Sequence, residues 1–268
     1  MTSSTTPPDA VQEWQEWREG RRAAVSGPHG PLALAGTHWL ADHPEGRIEG
    51  LPGRWTVATD GAAVVLAAAP EDGLTVDGTP AVGEFRLDAD AGPAAARVAH
   101  GARRLVVLRR EDLWAVRDFD PDAPTRRAFA GIDAYPHDAR WVRPGLFRPY
   151  AERQTIRVAN ADGRQRGFVL GGELAFTLDG DEHVLKVAVE PDGSLWAVLA
   201  DATSGTDSYR FRFLRPPAPA ADGTVTVDLN RTLLPPCAFA DHFICPFPPP
   251  GNTLPFALRA GERNVRVR

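Results

Sequence analysis

Lysine and cysteine are scarce in this 268-residue chain, which has a single lysine, Lys186, and two cysteines, Cys237 and Cys245. The formal net charge is -5 and no basic patch stands out, so we expect no nucleic-acid partner. The other cationic side chains are arginines, whose planar guanidinium groups suit carboxylates and phosphates.

Long apolar stretches are also missing. No run of about 18 apolar residues occurs, so we expect neither a membrane-spanning helix nor a membrane partner. The opening MTSSTTPPDA is polar and has no apolar signal-peptide core. We therefore expect a soluble cytoplasmic protein, a compartment in which two cysteines do not make a disulfide framework.

Several catalytic motifs are absent as well. The sequence has no Gly-x-Ser-x-Gly elbow, no phosphate-binding P-loop, no His-Glu-x-x-His and no dinucleotide fingerprint. These absences disfavour the common hydrolase and nucleotide-binding scaffolds, and we expect no cofactor.

Turn signals and short apolar runs dominate what is present. Asp-Gly, which suits two-residue hairpins, occurs at positions 60, 72, 77, 162, 179, 192 and 222. Strand-like runs separate these turns, and residues 195–200 are apolar on both faces, which indicates a central strand. The pattern predicts an all-β fold with an N-terminal helix, an antiparallel β-sandwich or barrel of two packed β units.

The chain divides into three predicted regions. Residues 1–45 form an N-terminal helix and arm, with Asp9 as the helix N-cap and an end before Gly27. Residues 46–125 form a small β-sandwich-like unit. Residues 126–268 form a larger antiparallel β-barrel-like unit with a Pro/Cys-rich C-terminal loop. The Pro-rich segment 121–150 is interpreted as the connection between the two β units.

Polar residues recur near the ends of the last predicted strands. They are Asp201, Thr203, Tyr209, Arg212, Asp228, Asn230, Asn252 and Glu262. Neighbouring hairpin strands could bring them together, either as a pocket mouth or as a salt-bridge network that closes the barrel end. The pocket interpretation predicts a small-molecule binding protein whose ligand contacts Asp201, Tyr209, Arg212, Asp228 and Asn230.

Two other functions stay open. A hydrolase or lyase could use Cys237, or an Asp201/Asp228 pair for acid–base work. A structural or interaction protein could present Trp14 or Trp17 of the first helix to a partner. Oligomeric state does not follow from the sequence.

The loop LPPCAFADHFICPFPPPGN, residues 234–252, holds both cysteines. Cys237 and Cys245 could bind a metal, form a disulfide, or supply a catalytic thiol with His242 as its base. The favoured interpretation is that both are small buried side chains in a proline-stiffened loop.

Two further clusters are weaker candidates. His38, Asp42 and His43 fit no strong metal-binding spacing, and we predict no metal site. His137 and Asp138 lie beside several aromatics and arginines that could stack a planar or anionic ligand, or could cover a sheet edge. Those neighbours are Tyr135, Trp141, Arg143, Arg148 and Tyr150.

Several phrases together resemble a bacterial family catalogued as domain of unknown function 1684, in an uncharacterised actinobacterial-type form. They are GPHGPLALAGTHWL, AYPHDARWVRPGLFRPY, FTLDGDEHVLK, DATSGTDSYRFRFL, VDLN and PPCAFADHFICPFPPPGNTLPFALRAGE. Leu229, Leu234 and Phe211 depart from the residues usual in that family. The resemblance implies a cytoplasmic β-rich protein, but no reaction and no catalytic residues.

Overall fold

The structure is a computed structural model that describes residues 8–268, with side chains described from Ala10 onward. The N-cap role of Asp9 lies outside the described side chains. The helices are α1 (Pro8–Ser26) and α2 (Pro124–Ala128). The strands are β1 (Leu34–Trp39), β2 (Arg54–Val57), β3 (Val64–Ala68), β4 (Leu74–Val76), β5 (Thr79–Pro80), β6 (Gly83–Leu87), β7 (Val98–His100), β8 (Arg103–Arg110), β9 (Leu113–Phe119), β10 (Phe129–Ala134), β11 (Val142–Ala159), β12 (Gln165–Leu178), β13 (Asp181–Val189), β14 (Leu195–Leu199), β15 (Arg212–Leu214), β16 (Thr224–Asp228) and β17 (Glu262–Val267). The predicted fold class, mostly antiparallel β with an N-terminal helix, is confirmed.

Residues 23–129 form one of two units and contain two antiparallel sheets. One sheet has the order β1-β9-β8-β7-β4-β5 and the other has the order β2-β3-β6. Side chains of both sheets meet in one core, where Trp55 and Leu66 of the smaller sheet join Leu105 and Val116 of the larger. All four are buried, so this unit is a sandwich closed by apolar packing.

Residues 8–22 and 130–268 form the other unit. Its main sheet has the order β15-β14-β13-β12-β11-β16 and curves into a half-barrel, while β10 and β17 form a separate pair. The two longest strands, β11 and β12, change register between Pro149 and Gln154. An irregularity of this kind bends a strand and increases its twist, which helps the sheet to curve.

The strand predicted to be central has both faces covered. In β14, Ala197 and Leu199 join one core cluster, whereas Val198 and Trp196 join the cluster on the opposite face. The strand lies between β13 and β15. The apolar pattern of residues 195–200 is therefore explained by burial on two sides.

Two Asp-Gly hairpins have the backbone that the dipeptide predicts. Asp77 and Gly78 have φ angles of 51° and 78°, and Asp179 and Gly180 have φ angles of 53° and 97°. They join β4 to β5 and β12 to β13. Positive φ at both central residues matches the twist of the strands and sets their register.

The Pro-rich segment 121–150 contains more regular structure than the connection expected there. It includes α2, β10 and the first half of β11. Pro149 lies at the register shift of β11, and Pro144 precedes the first residue of β11 that pairs with β12. Proline is tolerated at position 149 because the ladder is irregular there, and Pro144 lies in the part of β11 that pairs with Thr226 of β16.

Helix α1 is fixed to the half-barrel unit by side chains of its first five turns. Trp14 Nε1 donates a hydrogen bond to the carbonyl oxygen of Asn230 at 3.1 Å, and Arg21 forms an ion pair with Glu262 at 3.2 Å. Trp14 is buried and Trp17 is half-buried. Within residues 8–268, no helix has the length and apolar character that crossing a membrane requires.

Candidate functional site

Arg212 lies in the interior of the half-barrel unit, where its side chain is fully buried. Its Nη2 donates to Asp201 Oδ2 at 2.7 Å and to the carbonyl of Leu258 at 2.8 Å. Its Nη1 donates to the carbonyls of Ala260 and Glu262 at 2.6 and 3.1 Å. Within the described residues only Nε has no partner. The guanidinium thus links β15 to the segment that leads into β17 and to the first residue of β17.

Asp201 completes this buried arrangement. Besides Arg212, its carboxylate accepts hydrogen bonds from the backbone N–H and hydroxyl of Thr203 and from the N–H of Leu258. Burial acts to raise the pKa of Asp201, but the charge and hydrogen bond of Arg212 outweigh it and hold the pKa below its usual value. We call Arg212, Asp201 and Thr203 the Arg212 network.

Asp228 and Asn230 lie at the end of β16 and have other partners. Asp228 accepts hydrogen bonds from Asn230 and pairs with Arg231 at 3.2 Å. The Asn230 side chain then holds the backbone of Asp138, accepting from its N–H and donating to its carbonyl, both at 3.1 Å. Asp201 and Asp228 therefore share no hydrogen-bond partner among the described residues.

Glu262 and Asn252 also hold the backbone in place. Glu262 accepts from the N–H of Leu234 at 2.6 Å and from Arg21. Burial raises the pKa of Glu262, and Arg21 only partly opposes this effect. Asn252 is fully buried and bridges the backbones of Lys186 and Val198. Both predicted polar residues thus lie in the interior.

An open cleft of about 750 Å³ lies where the segment preceding β11 meets the segment preceding β17. We call it the Tyr135 cleft. It is lined by Tyr135, Pro136, His137, Asp138, Arg140, Trp141, Ala257 and Arg259. The side chain of Asn230 holds the backbone of Asp138 in place. The Asp138 carboxylate caps the short 3₁₀ turn Ala139–Trp141.

Two polar atoms in the wall of the cleft are buried without a hydrogen-bond partner in the described part of the chain. They are the hydroxyl oxygen of Tyr135 and Nδ1 of His137. Leaving a buried polar atom unpaired costs about 1–3 kcal/mol, so two such atoms among the lining residues of one cleft require an explanation. The His137 ring is held edge-on against Trp14, with the centroids 5.6 Å apart.

Arginines supply the charge around the Tyr135 cleft. Arg140 lies 4.6 Å above the ring of Trp141, and Arg263 lies 4.8 Å above the ring of Tyr135. Arg259 is an exposed residue of the lining. Guanidinium groups beside aromatic faces favour planar anions, which can stack and accept paired hydrogen bonds.

The sequence identified only part of this cleft. Tyr135, His137, Asp138 and Trp141 were among the weaker candidates and do line it, because one segment carries them. Three other candidates lie elsewhere: Arg143 donates to the carbonyl of Thr177, Arg148 pairs with Glu182, and Tyr150 contacts Glu173. The residues that sequence reasoning missed are Pro136, Arg140, Ala257 and Arg259. The ALRAGE phrase was the available signal for the last two.

The two cysteines are free thiols and both are buried. The backbone N–H of Cys237 contacts Cys245 Sγ at 3.3 Å, and the Tyr209 hydroxyl lies 3.6 Å from Cys237 Sγ. A hydrogen bond from Cys245 is the largest cause that lowers the pKa of Cys237 to about 7. Tyr209 and Arg210 lower it further against the effect of burial. His242 is exposed.

The histidine-rich turn after Gly36 lies partly in β1. His38 and His43 have ring centroids 6.2 Å apart. Across the described residues, no group of three or more His, Cys, Asp or Glu side chains is arranged to hold a metal ion.

Comparisons with known proteins yield a family and similar solved structures. The family model described as "Protein of unknown function (DUF1684)" matches residues 127–263, which are 137 of the 268 residues. No curated protein matches the chain. Among solved structures, the chain is similar to the solution NMR structure of the uncharacterised protein from gene locus rrnAC0354 of Haloarcula marismortui. The two are 29% identical over 50% of this chain and 77% of that one, with a TM-score of 0.42.

Proposed function

This chain belongs to the DUF1684 family, and we propose that it binds a planar, anionic small molecule in the Tyr135 cleft. The observation that carries the proposal is the pair of buried, unpartnered polar atoms of Tyr135 and His137 in a cleft of about 750 Å³. A cleft of this size with a few convergent polar groups is typical of small-molecule sites.

The chemistry of the lining supports the charge and shape of the ligand. Arg140 and Arg259 can neutralise a carboxylate, and the Trp141 and Tyr135 rings offer aromatic surface. The Tyr135 hydroxyl and His137 Nδ1 can each donate or accept one hydrogen bond, depending on the proton positions. We expect a planar aromatic acid to suit this lining, because its carboxylate pairs with arginine and its ring stacks on the aromatic side chains.

The five residues first predicted to bind the ligand do not line the Tyr135 cleft. Asn230 supports the cleft through the backbone of Asp138. Asp201, Tyr209, Arg212 and Asp228 are not among the lining residues. We propose that Arg212 and Asp201 stabilise the half-barrel, and the cytoplasm remains the proposed location.

The alternative functions have less support. Acid–base catalysis by Asp201 and Asp228 needs both carboxylates at one substrate, yet each is held by different partners. A partner-binding face on α1 would require an exposed tryptophan, whereas Trp14 is buried against Asn230 and Trp17 is half-buried beside Arg231.

A thermal-shift comparison of matched anionic and neutral aromatics tests the proposal. The probes are 2-naphthoate with 2-naphthalenemethanol, and benzoate with benzyl alcohol. We expect the acids to raise the melting temperature and the alcohols to leave it unchanged, because only the acids pair with arginine. A ligand at ten times its Kd stabilises the folded state by about 1.4 kcal/mol, which such a scan detects.

Charge-matched double variants separate specific binding from general charge effects. Arg140→Ala/Arg259→Ala removes the cleft arginines, whereas Arg148→Ala/Arg215→Ala removes two exposed arginines whose ion pairs are 3.8 Å long. We expect the acid-dependent shift to vanish in the first variant and to remain in the second. A lack of response to every acid, or an equal response of both variants, would contradict the proposal.

A further inference from the structure

The loop that carries both cysteines is closed by contacts between them. The backbone N–H of Cys237 donates to Cys245 Sγ at 3.3 Å, and both thiols belong to the same buried cluster. Cys245 Sγ therefore lies against the residue that carries the other thiol. A disulfide requires an S–S length of about 2.05 Å, so the loop has to move until the two sulfur atoms reach that distance.

The two sulfurs do not share the same surroundings. Tyr209 Oη lies 3.1 Å from the Cys237 carbonyl and 3.6 Å from its Sγ, and burial raises the pKa of Tyr209, which keeps its proton available. Arg210 adds positive charge to Cys237 Sγ from the exposed side. Its guanidinium lies 4.7 Å above the ring of Phe247, so it is held over the loop. Donors and a cation around one sulfur stabilise its thiolate.

We infer that Cys237 and Cys245 form a reversible dithiol–disulfide couple that reduces hydroperoxides, with Cys237 as the nucleophile and Cys245 as the resolving thiol. The inference is independent of ligand binding in the Tyr135 cleft. The roles follow from the contacts, since Tyr209 and Arg210 surround Cys237 and the hydrogen-bonded thiol beside it is Cys245.

The proposed steps balance in atoms and electrons. The Cys237 thiolate attacks the terminal oxygen of the hydroperoxide, so that an S–O bond forms and the O–O bond breaks. The sulfur is oxidised by two electrons, and the released alkoxide takes a proton and leaves as an alcohol, or as water from hydrogen peroxide. Cys245 sulfur then attacks the sulfenic sulfur of Cys237. The S–S bond forms, the S–O bond breaks, and hydroxide leaves with the Cys245 proton as water. A small dithiol restores both thiols by exchange.

The test treats reduced full-length protein with a small excess of hydrogen peroxide and then alkylates it under denaturing conditions. We expect an intact monomer that takes up no alkylating agent and is two hydrogens lighter, and that dithiothreitol restores. Cys245→Ser should accumulate a sulfenic acid on Cys237 that dimedone traps. Cys237→Ser should leave Cys245 reduced over the same time. Wild-type protein that retains both thiols, or dimedone adducts on Cys245 in place of Cys237, would overturn the inference.

Arginine variants test whether Arg210 activates the Cys237 thiol. They keep both cysteines, so this test does not depend on whether the cysteine variants fold. Arg210→Ala removes the cation near Cys237, and Arg215→Ala is the control because it also lies above a ring, 5.0 Å from that of Trp196. We expect Arg210→Ala to slow iodoacetamide alkylation of Cys237 at pH 7 by about fivefold, the effect of a one-unit rise in thiol pKa. The midpoint of the rate against pH should rise from about 7 in this variant only. Equal rates in both variants would remove Arg210 from the proposed site.

Discussion

The Arg212 network and the Tyr135 cleft belong to the same β unit and both depend on arginine, but they differ in how far their polar groups are satisfied. Arg212 is fully buried, and both of its terminal nitrogens donate to oxygen atoms of the protein. The Tyr135 cleft instead keeps a hydroxyl and a ring nitrogen without partners in the described residues, beside exposed arginines. In the first arrangement only Nε of Arg212 lacks a partner, and it lies in the closed interior, whereas the unpartnered atoms of the second belong to residues that line an open cleft.

The contrast shows that a polar cluster must be judged by its unused hydrogen-bonding capacity. A buried charge whose terminal nitrogens are all paired contributes to the uniqueness of the fold and has little left to offer a ligand. Unpaired atoms beside open volume mark the place where a ligand regains the lost hydrogen bonds. Asn230 shares one property with each region. It is buried, as Arg212 is, and its side chain holds the backbone of Asp138 in the cleft.

Breaking the Arg212 network should have the largest effect. Arg212→Met leaves the Asp201 carboxylate buried without its cation, which we expect to lower the free energy of unfolding by about 3–5 kcal/mol. Urea denaturation measures this loss. The control is Arg259→Ala in the cleft, which should change the free energy of unfolding by no more than about 0.5 kcal/mol. Similar losses of unfolding free energy in Arg212→Met and Arg259→Ala would show that the Arg212 network and the Tyr135 cleft do not differ in their contribution to stability.

Asn230→Ala should have an intermediate effect, because it removes both hydrogen bonds to the Asp138 backbone. We expect a loss of about 2 kcal/mol in the free energy of unfolding, because the N–H and carbonyl of Asp138 lose their side-chain partner. Naphthoate binding should weaken as well, since the cleft wall loses its support. A variant that is destabilised but binds naphthoate as the wild type does would separate Asn230 from the cleft.

The pH dependence of stability should distinguish the two buried carboxyl groups of this unit. Glu262 has a raised pKa in the folded state, so folded protein binds more protons and stability falls as pH rises from about 4.3. Glu262→Gln should flatten that fall in urea unfolding measured between pH 4 and 8. The pKa of Asp201 is lowered in the folded state, so its effect on stability has the opposite sign. Its stabilising contribution is present above about pH 3.9 and is lost as the pH falls further. If stability fell more steeply with rising pH in Glu262→Gln than in the wild type, the conclusion that folding raises the pKa of Glu262 would be wrong.

Much of the fold could be predicted from the sequence because its signals are local. Asp-Gly turns such as Asp179-Gly180 and the two-sided apolar strand 195–199 require no knowledge of distant residues. The partners of Arg212 could not be predicted, since the carbonyls of Leu258 and Ala260 come from a segment about 50 residues away. For the same reason, Arg259 could not be assigned to the cleft beside His137 without the structure.

Removing an unsatisfied group from the cleft should have the smallest effect on stability. Tyr135→Phe deletes a hydroxyl that has no partner, so we expect no loss, or a gain of up to about 1 kcal/mol, in the free energy of unfolding. Tyr150→Phe is the matched control, because its hydroxyl donates to Glu173 at 3.2 Å and its loss should be mildly destabilising. A marked destabilisation by Tyr135→Phe would show that its hydroxyl already has a partner.

Isothermal titration calorimetry with 2-naphthoate tests the central claim most directly, using wild-type protein, Arg140→Ala/Arg259→Ala and Arg148→Ala/Arg215→Ala. The account predicts one binding site in the wild type, the same affinity in the control double variant, and at least a tenfold weaker affinity without the cleft arginines. A tenfold loss corresponds to about 1.4 kcal/mol of binding free energy. An equal affinity for all three proteins, or no binding by the wild type, would contradict the assignment of the Tyr135 cleft as the ligand site.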